Sequence, residues 1–398
     1  MEAGPPRERL PALFLRFLRF GLLAFGGPVA QIAMIRRELV DEEHWVSPER
    51  FDRALAVYQV LPGPEAHELC VYYGTLARGR IGGLLAGLAF MLPGFLLMFA
   101  LSWAYLTVGI ESPAVRAVFA GLQAAVVALI VRAVHRIGSH ALHDRWLLGI
   151  GVSALIASLL GIHFAPTLLV AGVSYALVVR GHTRPALALE AAFVAGILLY
   201  ALAIAPGPGV PGVSPGPETA EPGRASLHEL FISGLKAGLL TFGGAYTVIP
   251  FLQQDAVSSG GWMTSGQFLD GLALSGILPA PLIIFSTFVG YFAGGPLGAL
   301  VMTFAIFAPA FAFTLVGHRY MERLIAAPSV HAFLDGVTAG VVGLIGATTI
   351  QLFGVGVSSL PALLIFALAL VAVYAWRAKA SVAGIVFGAG LLGLMLLR

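Results

Sequence analysis

The sequence predicts an all-α polytopic membrane protein of about 13 transmembrane helices, arranged as two homologous, inverted repeats with broken helices. Three observations carry that prediction. Of the 398 residues, 58% are hydrophobic and only 11% charged, where a soluble domain carries about a quarter charged residues. Apolar runs long enough to cross a hydrocarbon core of about 30 Å as helix fall at 81–107, 114–134, 145–162, 164–180, 187–204, 296–317, 331–353, 358–376 and 380–397. They lack the alternating pattern of barrel strands. Finally, the chain repeats itself.

Sliding the sequence on itself by 217 residues aligns Phe25 to Pro64 with Phe242 to Pro281 and leaves 12 identities in 40 positions. Phe25, Gly26 and Gly27 match Phe242, Gly243 and Gly244; Trp45 matches Trp262; Leu61, Pro62 and Pro64 match Leu278, Pro279 and Pro281. Hydrophobic bias alone does not align glycine, proline and tryptophan. The register continues, with small deletions, through Gly74 and Gly290, Pro93 and Pro309, and Gly121 and Gly336. The chain thus divides into a first repeat at 1–185, a connecting transmembrane helix and Pro/Gly-rich linker at 186–226, and a second, inverted repeat at 227–398.

The N-terminal apolar stretch is interrupted by Arg16 and Arg19 and reads as a retained first span, not a cleaved signal. The segments 49–78 and 266–293 are taken as one crossing each, broken at Pro62-Gly63-Pro64 and at Pro279-Ala280-Pro281. The basic groups then fall on one side: Arg7 with Arg9, Arg78 with Arg80, Arg132 with Arg136 and Arg145, Arg180 with Arg184, Arg319 with Arg323, and Arg377 with Lys379. That places the N-terminus in the cytoplasm and the C-terminus outside. The loop at 36–50 fits least well, because Arg36 and Arg37 are answered by Asp41, Glu42 and Glu43. Seven crossings precede the second copy, so it enters upside down. Inverted repeats with broken helices near the midplane are the architecture of secondary transporters.

This plan suggests candidate binding residues. A broken helix exposes the amides that begin its second half, which suit an anion; close packing of glycine is the alternative. Arg19 aligns with Lys236, six residues before the "FGG" in each copy, so a cation recurs although the residue type changes. Inside a span such a charge must face protein, water or an anion, or snorkel to the headgroups. Glu38 aligns with Asp255, and Glu65, His67 and Glu68 come after the first proline break without ionisable counterparts in the second copy. Glu38, Glu65, His67 and Asp255 are the candidates for proton coupling, with capping and solvated helix ends as the plainer explanation.

Other functions are poorly supported. The single cysteine, Cys70, excludes an internal disulfide and any multi-cysteine metal site. "HELC" at His67 has Val71 where a zinc protease helix needs its second histidine. No nucleotide-binding loop is present, no cofactor or metal is expected, and a net charge of +3 spread over many loops argues against nucleic acid. The expected partners are the lipid bilayer and a small oxyanion; a homodimer is one of the oligomeric states left open.

"FGGP", a charged segment and Trp45, then "LPGPE", and later "TFGGAY", "GGW" and "LPAP" resemble the signatures of the chromate ion transporter family in its long, two-domain form. The resemblance covers nearly the whole chain. It implies a prokaryotic inner-membrane protein, not an enzyme, that exports chromate from the cytoplasm using the proton gradient and so confers chromate resistance, with sulfate as competitor or alternative cargo. The positions it carries over are Phe25, Gly26, Gly27, Pro28, Pro62, Gly63, Pro64, Phe242, Gly243, Gly244, Pro279 and Pro281. Ala245 stands where the first copy has Pro28, and Ala280 where it has Gly63. A carrier of another oxyanion, a non-transporting sensor and a membrane-embedded enzyme remain the competing readings.

Overall fold

The computed structural model describes residues 6, 8–109, 112–204, 225–242, 244–316, 327–376 and 381–397. Gly243, the linker at 206–223 and the basic residues Arg7, Arg319, Arg323, Arg377 and Lys379 lie outside the described residues. Among those described the chain is helical throughout, with no strand. It is a multi-pass membrane protein. Among the described residues five helices are long and apolar enough to cross a membrane, and four shorter apolar ones accompany them.

The first half begins with α1 (Leu10–Leu22) and α2 (Gly27–Arg36), the latter running into a π-turn at Arg37–Glu42. α3 (Pro48–Val60) and α4 (Glu65–Val108) lie on either side of the Pro62-Gly63-Pro64 break. Next come α5 (Pro113–Ala141), α6 (Arg145–Leu159), α7 (Phe164–Val179) and α8 (Thr183–Ile204). The second half supplies α9 (Leu227–Leu239), α10 (Val248–Gln253) with a π-turn at Gln254–Ser259, α11 (Ser265–Gly276) and α12 (Phe285–Leu315). It ends with α13 (Pro328–Gly356), α14 (Leu360–Ala375) and α15 (Ser381–Leu396).

α4 and α12 are each two antiparallel limbs. Non-helical angles at Arg78 and Gly79 (φ 63°, ψ −160°) reverse the first, and those at Gly294 and Gly295 (φ 66°, ψ −158°) reverse the second. Only glycine adopts such angles cheaply. A Cβ on Gly74 would lie 2.4 Å from the Gly82 carbonyl oxygen, and one on Gly290 equally close to that of Gly298. Eight residues along a straight helix span about 12 Å, so in both cases the chain has turned back on itself.

The broken elements also fold back, whereas the sequence predicts that each proline-broken segment crosses once. Arg50, at the start of α3, bonds the Tyr72 hydroxyl at 3.3 Å, although 22 residues separate them; a collinear broken helix would hold them about 30 Å apart. In the second half Phe268 and Phe285 meet edge-on with ring centroids at 4.9 Å. The helices flanking each "FGG" behave alike, since Arg16 reaches Glu43 at 2.5 Å across 27 residues and Lys236 bonds Asp255 across 19. The physical reason is local: a Gly/Pro tip interrupts the helical ladder and leaves the direction of the next helix unset. Each half therefore opens with two helical hairpins, and then α4 and α12 run on in their second limbs.

Caps recur at matched positions. Ser47 and Thr264 accept the N–H three residues on in α3 and α11, and Asp144 and Ser359 do the same for α6 and α14. The halves exchange helices: α5 packs on α14 and α15, while α13 packs on α6 and α7. Backbones approach closely at these contacts. A Cβ on Gly121 would sit 2.2 Å from the Ala389 carbonyl oxygen, and one on Gly336 would sit 2.3 Å from that of Ala171. Small residues at helix crossings permit this in a bilayer, where lipid offers no hydrophobic drive for association.

Candidate functional site

The hairpin tips meet one another. The Gly63 N–H, at the tip between α3 and α4, donates to the Thr241 carbonyl at 3.0 Å, at the tip between α9 and α10. A Cβ on Gly63 would lie 3.1 Å from Ala310 Cβ in α12, and one on Gly94 in α4 would lie 2.4 Å from Ala280 Cβ. These are reciprocal contacts: the sequence offsets pair Gly63 with Ala280 and Gly94 with Ala310. The remaining tip differs. Ala24, the counterpart of Thr241, has its carbonyl occupied by the buried Gln31 side chain at 2.8 Å. Pro62, Gly63, Pro64, Pro279 and Pro281 are buried, whereas Phe25 and Gly26 are exposed and Gly27, Pro28, Phe242 and Gly244 are intermediate.

The candidate cations and the candidate proton carriers at the "FGG" hairpins, separate in the sequence reading, are ion-paired. Arg19 bonds Glu38, and Lys236 bonds Asp255. Each pair spans its own hairpin, and the π-turns that carry the carboxylates start one repeat offset apart, at Arg37 and Gln254. A third group joins each pair: Arg16 reaches Glu38 at 3.3 Å and Ser233 donates to Asp255 at 2.5 Å. Arg16 and Ser233 are themselves matched by the repeat. The sequence does not mark them as a pair because the serine does not repeat the charge of the arginine, although the i, i+3 spacing to Arg19 and Lys236 puts each beside its cation on one helical face. Arg16 also contacts Glu8, and its guanidinium lies over the Trp45 ring at 5.5 Å. Arg19 and Lys236 occupy different clusters, with guanidinium and ammonium over Phe20 and Phe164 respectively.

The Glu65–Glu68 segment opens α4 directly behind the first proline tip. Glu68 and His67 are fully buried and Glu65 is 8% exposed. Neither Glu68 oxygen, neither His67 ring nitrogen, nor Glu65 Oε2 has a hydrogen-bond partner among the described residues. The His67 ring is held by Phe307 and Phe311 of α12, at 5.0 and 4.7 Å between centroids. The equivalent positions behind the second tip are Leu282, Ile284 and Phe285. A third buried carboxylate, Asp270 in α11, accepts from the Tyr105 hydroxyl and the Gln123 amide, both at 2.8 Å. It ties the halves together, and no motif in the sequence marks it. A small apolar crevice lined by Val126, Ile130, Tyr246, Ile249 and Leu272 lies close to the tips of the second half.

A model of the chromate transporter family matches residues 11–205 and 228–394. A chromate transport protein of Pseudomonas aeruginosa is 57% identical over 396 residues, which cover 98% of this chain and 94% of that one. A chromate transport protein of Cupriavidus metallidurans is 32% identical, covering 98% and 94%. A probable chromate transport protein of Synechococcus elongatus is 31% identical, covering 96% of each chain. No solved structure matches. With matches to the family over both halves and full-length relatives at this identity, the chain belongs to the chromate transporter family.

Proposed function

We propose that this protein is a secondary transporter that exports chromate across the cytoplasmic membrane of a prokaryote, driven by the proton gradient, and thereby confers chromate resistance. The observation that carries the proposal is the 57% identity, along 98% of the chain, to a protein named for chromate transport. Voltage assists in the same direction: a dianion leaving a cytoplasm that is negative inside gains about 4.6 kcal/mol per 100 mV.

The hairpins support an orientation. With four re-entrant hairpins, nine helical segments cross: the second limb of α4, α5 to α8, the second limb of α12, and α13 to α15. Five precede the second half, which is therefore inverted. The N-terminus and every basic group named above, Arg319 and Arg323 included, then fall on the cytoplasmic side, and the C-terminus falls outside. The mixed loop at 36–50 also becomes cytoplasmic. The domain division at 1–185, 186–226 and 227–398 belongs to this reading.

In the proposed cycle the tetrahedral dianion engages Phe25, Gly26, Gly27 and Pro28, the "FGG" residues Phe242, Gly243 and Gly244, and the two proline breaks. Arg19 and Lys236 reach it only when Glu38 and Asp255 release them, so anion and carboxylate compete for one cation. Uptake of radiolabelled chromate into inverted vesicles, with an imposed proton gradient and with or without excess sulfate, tests the proposal. Gradient-dependent accumulation that sulfate weakly inhibits is expected. Sulfate accumulation without chromate accumulation would keep the architecture and change the cargo.

A further inference from the structure

We infer that Glu68 is the proton-binding group of the transporter, and that its ionisation releases the hydrogen bond joining the tips of the two halves. The inference deepens the proton-coupled reading above and rests on it for its functional meaning. Glu68 is fully buried and both its oxygens lack partners among the described residues. An ionised carboxylate left in that condition is among the costliest groups a protein can bury. Its proton state and its surroundings must therefore change together.

Its position says what would change. A Cβ on Gly63 would lie 3.1 Å from Glu68 Cδ and Oε1, so the carboxyl group is seated against the tip itself. The Gly63 N–H is committed to Thr241 of the other half. A charged Glu68 requires donors, and this amide is the donor at the tip it touches. Taking it breaks the contact between the halves; reprotonation restores that contact.

The groups around it fit this role. From α3, Tyr58 lies within its electrostatic reach; on its own helix Glu65 does the same, and Arg136 of α5 acts on Glu65. α12 presents Phe307, Ala310 and Phe311 to this region. Among the described residues no cation bonds to Glu68, in contrast to Glu38 and Asp255, which are occupied by Arg19 and Lys236. The second half places Phe285 at the matching position, so the repeat does not duplicate the proton site.

Infrared titration of the full-length protein in membranes tests this through the carbonyl stretch of a protonated carboxyl group. A band that titrates with pH in the wild type, is lost in Glu68→Gln and persists in Glu38→Gln and Asp255→Asn is the expected result. Absence of the band from the wild type, or its persistence in Glu68→Gln, overturns the inference. Should Glu68→Gln fail to fold, Glu68→Asp decides: a shifted titration supports the site and an unmoved one removes it. A pH-sensitive dye in chromate-loaded vesicles supplies the second readout, in which Glu68→Gln loses the protons moved per chromate. A wild type whose Glu68 band titrates but which moves no chromate would leave the proton site standing and overturn the cargo reading.

Discussion

The two halves share a backbone and differ in the charges mounted on it. Matched positions carry the same π-turns, the same glycine reversals with φ near 63° and 66°, and two pairs of caps, Ser47 with Thr264 and Asp144 with Ser359. On this scaffold the first half holds Arg16 and Arg19 against Glu8, Glu38 and Glu43, where the second holds one lysine and one serine against Asp255. Behind the first proline tip sit Glu65, His67 and Glu68; behind the second sit Leu282, Ile284 and Phe285. Geometry is thus duplicated while chemistry is divided. The first half carries the titratable groups at the tips, and the second supplies the apolar wall and the Thr241 carbonyl against which the first half rests.

Substitutions at matched positions separate the shared part from the divided part. The largest effects fall on the limb contacts: Gly74→Leu and Gly290→Leu each place a side chain 2.4 Å from a backbone oxygen. Each is expected to destabilise by about 3 kcal/mol, seen as loss of monodisperse protein in detergent. Unequal losses would show that the shared scaffold is not equally needed. Next come the cations. Lys236→Ala leaves Asp255, whose side chain is 14% exposed, with the Ser233 hydroxyl but no cation, and should cost about 2 kcal/mol, below the ~3–5 of a fully buried pair. Arg19→Ala leaves Arg16 on Glu38 and should cost under about 1 kcal/mol. Thermal unfolding of the two variants in parallel checks that order.

Gly79→Ala and Gly295→Ala meet nothing within 4 Å, so only backbone strain is introduced. Equal losses of about 1–2 kcal/mol are expected, measured by the same unfolding assay. Acidity separates the caps. Burial raises the Asp144 carboxyl, but bonds from the Leu147 N–H and the Tyr175 hydroxyl outweigh it and hold the group below its ordinary 3.8. Its contribution is therefore full above pH 3.8 and disappears as pH falls through the lower folded value. Asp144→Ala should cost about 1 kcal/mol near neutrality and less in acid, whereas Ser359→Ala should cost a similar amount at every pH.

Much of this was written in local sequence. Composition and run length determined a helical membrane protein, because a bilayer leaves a backbone few other ways to satisfy its polar groups. The repeat of glycine, proline and tryptophan located the breaks, since those residues constrain the backbone of their own positions. Arg19 with Lys236 and Glu38 with Asp255 were visible as matched columns. That the columns bond to each other was a tertiary decision: a Gly-rich tip permits both a straight path and a reversal, and only packing against α4 and α12 selects the reversal. The same packing buried Glu68 beside Gly63 and joined Asp270 to Tyr105 and Gln123. Those partners lie far apart in sequence, and no spacing rule reaches across a chain reversal or between two intertwined halves.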